Sequence, residues 1–194
     1  MARAPEPSLE KKRLRREMIA RRDAMPAAER ERLAASMARH VRSLSEYRSA
    51  RTVLATMSIG SEWSTRDFIA GARADGKTLV LPRISAEAPK RLEIYAVDDL
   101  HRDLVPGVWD IPEPDPARCR KVDIAAVDFA LVPALAVDRD NFRLGYGAGY
   151  FDGLLGSRKV KPYCVTALPS PFIVERLPHE PHDIPVDLVL GEEP

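Results

Sequence analysis

Between positions 143 and 152 the chain reads Arg143-Leu144-Gly145-Tyr146-Gly147-Ala148-Gly149-Tyr150-Phe151-Asp152. Glycines at alternate positions leave the backbone without Cβ atoms, so consecutive N–H groups can turn toward one anion. A guanidinium leads into the stretch and a carboxylate closes it. A Mg²⁺-bound polyphosphate needs such a set: amides and arginine for its oxygens, a carboxylate for the metal. The same residues also suit a tight strand-to-helix turn that binds nothing. Two familiar phosphate loops are excluded. The third glycine arrives one place early for a dinucleotide fingerprint, and no Lys-Ser/Thr pair follows as in a Walker loop. Farther on, His179-Glu180-Pro181-His182-Asp183 approaches a zinc-protease spacing, but the second His is one place early and Pro181 would disrupt the helix. Asp183 remains as a second oxygen ligand for Mg²⁺.

These groups need a scaffold, and the apolar patterning predicts one. Residues 52–57 and 77–81 read as strands on either side of a helix containing Phe68, Ile69 and Ala72. That strand–helix–strand unit implies a parallel sheet, whose ligands collect beyond the strands' carboxyl ends. Glu62 falls just past such an end, either as an acceptor for the N–H groups of a heterocycle or as an exposed loop acid. Residues 91–97 alternate as a strand with Leu92, Ile94 and Ala96 on one face. Residues 127–137 form the most apolar segment, a central strand interrupted at Pro133. A short helix around residues 151–155 and strands at 163–168 and 186–190 follow. Trp109, in a Pro/Gly-rich loop, is either a core plug or a stacking surface for a flat ligand.

Before the sheet, Ser8 is an N-cap for a first helix with an apolar stripe of Leu9, Leu14, Met18 and Ile19. Pro26 suits the first turn of a second, where Leu33, Met37, Val41 and Leu44 repeat at helical spacing. Lys11, Lys12, Arg13, Arg15, Arg16, Arg21 and Arg22 crowd the first helix. Lys11 and Arg15, four apart, repel one another unless an anion lies between them. The run reads as a solvated face, a polyphosphate clamp or an RNA-binding helix. It lacks the interleaved aromatics of an RNA module.

The composition is that of a globular chain: 194 residues, 45% hydrophobic and 30% charged. We read one α/β domain over 1–194, with 1–7 a loose tail. A formal net charge of +1 provides no global attraction to nucleic acid. No segment approaches the roughly 20 apolar residues of a membrane span, and the opening residues lack the apolar core of a secretory signal. Cys119 and Cys164 are isolated, which suggests neither a zinc site nor a disulfide scaffold. A reducing cytoplasm is the expectation.

The glycine stretch closely resembles the signature of the 5-formyltetrahydrofolate cyclo-ligase family, and further segments match in order. Lys11-Lys12-Arg13-Leu14-Arg15 is similar to the family's Lys-x-x-x-Arg helix, and Glu62 with Thr65 to its Glu-x-x-Thr. Leu81-Pro82-Arg83, Trp109-Asp110-Ile111-Pro112-Glu113-Pro114 and the closing Leu177-Pro178, His182-Asp183 and Val186-Asp187 also fall in place. The resemblance implies a three-layer α/β/α fold with a mostly parallel sheet, and ATP-driven closure of 5-formyltetrahydrofolate to 5,10-methenyltetrahydrofolate. It further implies ATP as co-substrate, Mg²⁺ as cofactor, and a monomer or weak dimer with no nucleic-acid or membrane partner. ATP would meet Lys11, Arg15 and the stretch Arg143, Leu144, Gly145, Tyr146, Gly147, Ala148, Gly149 and Tyr150. Asp152 and Asp183 would hold Mg²⁺; Met57, Glu62, Trp109 and Tyr150 would receive the folate; Arg143 and Tyr150 would be catalytic.

The chain departs from the family at four places. Ala148 stands where Gly or Lys is usual, and Asn141 where Gly is. Pro133-Ala134-Leu135-Ala136-Val137-Asp138 replaces a Pro-Gly-x-x-Phe-Asp, and a Gln near Pro171 is missing. A divergent paralogue acting on another formyl or amide compound, or a non-catalytic folate- or nucleotide-binding protein, is the alternative.

Overall fold

The apolar runs assemble into a seven-stranded sheet whose central strands are buried on both faces. The computed structural model describes residues 7–88, 91–156 and 162–193. Its strands are β1 (Thr52–Leu54), β2 (Thr78–Ile84), β3 (Leu92–Ala96), β4 (Leu104–Pro106), β5 (Pro112–Pro114), β6 (Arg120–Val122), β7 (Phe129–Leu131), β8 (Ala136–Asp138), β9 (Arg143–Leu144), β10 (Tyr163–Ala167), β11 (Ile173–Val174) and β12 (Leu188–Leu190). The large sheet runs β12-β10-β7-β1-β2-β3-β6. Strands β12, β10, β7, β1 and β2 pair in parallel, and β3 and β6 extend one edge in antiparallel fashion. Helices are α1 (Pro7–Asp23), α2 (Ala27–Ser43), α3 (Ser45–Ser49), α4 (Arg66–Ala74) and α5 (Tyr150–Gly156).

Period-2 alternation sets which side chain meets which layer. Val53, Leu79, Phe129 and Val165 face Val41 of α2, Tyr47 of α3 and Phe68, Ile69 and Ala72 of α4. Their neighbours Leu54, Val80, Ala130 and Cys164 face Leu154 and Leu155 of α5. Parallel strands covered on both sides need near-continuous apolar runs, which is what these segments are. In β3, Ile94 packs with the α5 side, with Leu92 and Ala96 beside it, and Tyr95 packs with the other. The mixed α/β architecture with a mostly parallel sheet agrees with the sequence reading.

Three local expectations are corrected. Residues 127–137 are not one strand: β7 ends at Leu131, and β8 joins β9 and β11 in a separate three-stranded sheet. Pro133 has no N–H to offer a ladder, so the chain changes sheet there. Ser8 is not the N-cap, since α1 already includes Pro7, and Pro26 is itself the cap of α2. Leu9 is 62% exposed. Five residues before Leu14, it falls about 140° around the helix, so the stripe packed on the small sheet is Leu14, Met18 and Ile19.

The small sheet delivers the glycine stretch. Asp138 is wholly buried and accepts N–H bonds from Asp140 (3.1 Å), Phe142 (2.9 Å) and Leu177 (2.9 Å). It closes the β8–β9 turn, where Asn141 takes φ 67, and so sets the direction of Arg143. Each buried donor left without an acceptor costs about 1–3 kcal/mol. Asp138→Ala is therefore expected to lower unfolding stability by at least about 3 kcal/mol in urea titrations. A loss below about 1 kcal/mol contradicts this arrangement.

Candidate active site

Residues just beyond the carboxyl ends of β1 and β7, Thr56, Met57 and Pro133, line one cavity of about 750 Å³ together with the end of β2. Its walls are of two kinds. Met57, Leu81, Ile84, Leu92, Ile111 and Pro112 make an apolar surface; Lys11, Arg15, residues 143–152 and Asp183 make a charged one. Glu62 also lines it. Every site residue expected from the sequence is on this wall except Trp109, whose side chain lies outside the described residues.

The glycine stretch is shaped for close approach. Gly147 has φ 105 and Gly149 has φ 70, a region that penalises any Cβ. A Cβ on Gly147 would also press within 3.0 Å of the Arg15 guanidinium carbon. Arg15 Nε donates to the Gly145 carbonyl at 2.8 Å, so α1 grips the loop directly. Ala148, between these glycines, takes no positive φ, and its methyl group is sterically admissible.

The charges neutralise one another in pairs. Arg143 Nη2 donates to Asp152 Oδ1 at 2.7 Å, with the Arg143 side chain 4% exposed. Burial pulls the Arg143 guanidinium below its ordinary range, and Asp152 opposes this. Arg143 Nε is buried without a partner among the described residues. Lys11, itself 8% exposed, reaches Asp183 at 2.5 Å and Glu180 at 3.0 Å. Burial alone would raise the Asp183 carboxyl, but the bonds from Lys11 and the Glu180 N–H hold it below the usual carboxylate range. Thus Lys11 and Arg15 do not repel across empty space; each has its own oxygen partner.

Asp152 and Asp183 are neighbours, since the Ile184 N–H donates to Asp152 Oδ1 at 3.2 Å. No cluster of three or more His, Cys, Asp and Glu suited to a metal exists among the described residues. Two carboxylates are an all-oxygen donor set, which fits Mg²⁺ sharing its remaining positions between phosphate and water.

On the other side of the cavity, Glu62 accepts the Ile59 N–H at 3.0 Å, and Thr65 Oγ1 donates to the Thr56 carbonyl at 2.6 Å. The Glu-x-x-Thr spacing thus folds the β1–α4 loop so that Glu62 stands at the cavity. Glu113, absent from the expected set, also lines it and is 5% exposed. Burial raises its carboxyl, against the Ile84 N–H, Arg83 and the Val108 N–H. With a raised folded pKa, the ionised side chain costs stability in full only above the folded value. Glu113→Gln is therefore expected to raise Tm at pH 8, with the advantage fading as pH falls from the raised folded value to the ordinary 4.5 and absent below it. A Tm advantage that persists unchanged at pH 4 rejects this account.

With this geometry in place, the kinship of the chain is plain. Residues 7–192 match the model of the 5-formyltetrahydrofolate cyclo-ligase family. The chain belongs to that family. Over 185 residues it is 30% identical to the 5-formyltetrahydrofolate cyclo-ligase of Mycolicibacterium smegmatis, covering 93% of this chain and 92% of that protein. The mouse 5-formyltetrahydrofolate cyclo-ligase is 27% identical over 190 residues, with 94% of each chain covered. The NMR structure of Aquifex aeolicus 5,10-methenyltetrahydrofolate synthetase superposes with a TM-score of 0.82 at 30% identity, over 95% of this chain and 90% of that one.

The chain's Asn141 occupies the left-handed region at φ 67, which asparagine tolerates. Arg22, Glu113 and Glu180 are site-facing or site-supporting residues that the sequence reading passed over. For Arg22 a signal existed. Lys11, Arg15, Met18 and Arg22 follow i, i+4, i+7 and i+11, one stripe of a helix. Arg13 lies off it and pairs instead with Glu10 at 2.6 Å and Glu17 at 2.9 Å. The basic run is thus divided between a solvated face and a cavity face.

Proposed function

We propose that this chain catalyses the Mg²⁺- and ATP-dependent closure of 5-formyltetrahydrofolate to 5,10-methenyltetrahydrofolate, releasing ADP and phosphate. The observation that carries this reading is that one cavity joins an anion-binding wall to an apolar wall bearing a carboxylate. Such a site suits two substrates, a polyphosphate and a flat heterocycle, meeting in the middle.

In this reading the N–H groups of Gly145, Gly147 and Gly149 and the side chains of Arg143, Lys11 and Arg15 hold the phosphates. The unpartnered Nε of buried Arg143 is a donor awaiting an oxygen. Asp152 and Asp183 hold Mg²⁺, which supplies charge neutralisation on the phosphates when bound. For that, Lys11 and Arg143 turn part of their donor capacity from the carboxylates to phosphate oxygens. Glu62 accepts N–H groups of the pterin, and Met57, Trp109 and Tyr150 border the ring.

The formyl oxygen attacks the terminal phosphorus and ADP leaves, giving a formyl O-phosphate (iminium phosphate). N10 then attacks the formyl carbon and gives up its proton to solvent or the phosphate, and phosphate departs with the former formyl oxygen. Positioning and charge neutralisation govern such a reaction more than proton transfer, so Arg143 and Tyr150 act as orienting groups. The reaction belongs to folate one-carbon metabolism. No helix among the described residues is long and apolar enough to cross a membrane, and we place the enzyme in the cytoplasm. The test is the absorbance of the methenyl product on mixing 5-formyltetrahydrofolate, ATP and Mg²⁺ with the protein. Folate binding without product would reduce the reading to a binding protein.

A further inference from the structure

We propose that Arg22 is a positioning residue that, through the Tyr146 hydroxyl, couples the phosphate loop to Glu62, so that nucleotide and folate reinforce each other's binding. This inference rests on the functional reading above and adds to it a communication route between the two halves of the cavity.

Arg22 stands at the carboxyl end of α1 with its side chain 8% exposed. Its Nη1 donates to the Tyr146 hydroxyl at 2.8 Å and its Nε to Ser61 Oγ at 3.1 Å. Ser61 in turn donates to Asp23, the next residue of α1. Burial, and the Glu62 carboxylate after it, raise the pKa of the Tyr146 hydroxyl, and Glu62 borders the same small cavity as Tyr146 and Arg22. One guanidinium therefore ties together three separate segments: α1, the glycine stretch and the loop carrying Glu62.

Packing alone does not hold these segments in place. Tyr146 is 50% exposed, and beyond it Gly147 and Gly149 take positive φ, a backbone region that glycine enters freely. A cavity of about 60 Å³ borders Arg22, Glu62 and Tyr146, which leaves Glu62 room to shift. A phosphate seated on the glycine loop restrains Tyr146, and Tyr146 restrains Glu62. A ligand that orders a shared element lowers the ordering cost for the next one. By reciprocity the folate must strengthen nucleotide binding by the same factor.

The experiment measures the Kd of 5-formyltetrahydrofolate by calorimetry with and without a non-hydrolysable ATP analogue and Mg²⁺. For the unmodified protein we expect at least about a fivefold tightening. In Arg22→Met and in Tyr146→Phe the tightening falls to near one, and KM for the folate rises roughly tenfold, the loss of one charge-assisted hydrogen bond. Tyr146→Phe keeps the ring and the loop backbone, so it serves if Arg22→Met does not fold. Full tightening retained in Tyr146→Phe, even with weaker folate binding, overturns the inference while the cyclo-ligase reading stands. If the unmodified protein binds no folate and forms no product, both fall together.

Discussion

Asp152→Asn is expected to leave the chain folded and to reduce turnover by at least about 10²-fold, the scale on which lost electrostatic stabilisation of a transition state is felt. The choice of asparagine follows from the pairing. Asp152 Oδ1 accepts from Arg143 and from the Ile184 N–H, and an amide oxygen preserves an acceptor for both. The alanine variant removes it and strands a buried guanidinium, which costs about 3–5 kcal/mol. The two variants therefore separate roles: asparagine tests the metal contact, and alanine adds a folding defect. Single-turnover rates at saturating ATP, read beside thermal melts, distinguish them. Turnover within twofold of the unmodified protein in Asp152→Asn would remove the metal role from this residue.

A second large effect is expected at Arg143. Arg143→Ala should lower kcat/KM for ATP about 10³-fold while KM for the folate stays within about threefold, since charge-assisted bonds are each worth about 1.5–3 kcal/mol. The side chain is nearly inaccessible, spends one nitrogen on Asp152 and leaves Nε unpaired. Lysine is not a rescue, because a point charge cannot hold Asp152 and a phosphate oxygen at once in the planar geometry of a guanidinium. An Arg143→Lys variant with normal ATP dependence would show that charge alone suffices and that the fork has no part. An unchanged ATP dependence in Arg143→Ala would reject the phosphate contact altogether.

Much of the fold was legible because it depends on local rules. Strands β1, β3, β10 and β12 lie within the runs that apolar patterning marked, and β2 begins in one and continues past it to Ile84, since each must bury both faces or alternate between them. Helix α4 stops before the Asp75-Gly76 pair, with Gly76 at φ 72. Where a long-range choice competed, local reading fell short. Residues 127–137 look like one strand because both halves are apolar, yet Pro133 divides them between two sheets, and only the assembled layers decide which half goes where.

The site followed the same division. The glycine stretch, the flanking Arg143 and Asp152 and the Glu62–Thr65 spacing are properties of the sequence, because backbone freedom and donor type belong to residues wherever they lie. Which charges meet is not such a property. Lys11 finds Asp183 across nearly the whole chain, Arg15 takes the Gly145 carbonyl rather than standing as a free cation, and Arg22 reaches Tyr146. A helix of many basic residues offers several equivalent faces, and its own periodicity does not rank them. Docking α1 through Leu14, Met18 and Ile19 on the small sheet selects one face, and that act turns Lys11 and Arg15 toward the cavity and Arg22 toward Tyr146. The sequence by itself determined a glycine-rich loop between an arginine and a carboxylate, beside a parallel sheet; the tertiary structure decided which partners surround it, because burial allows charges to remain only where an opposite charge or a polar oxygen meets them.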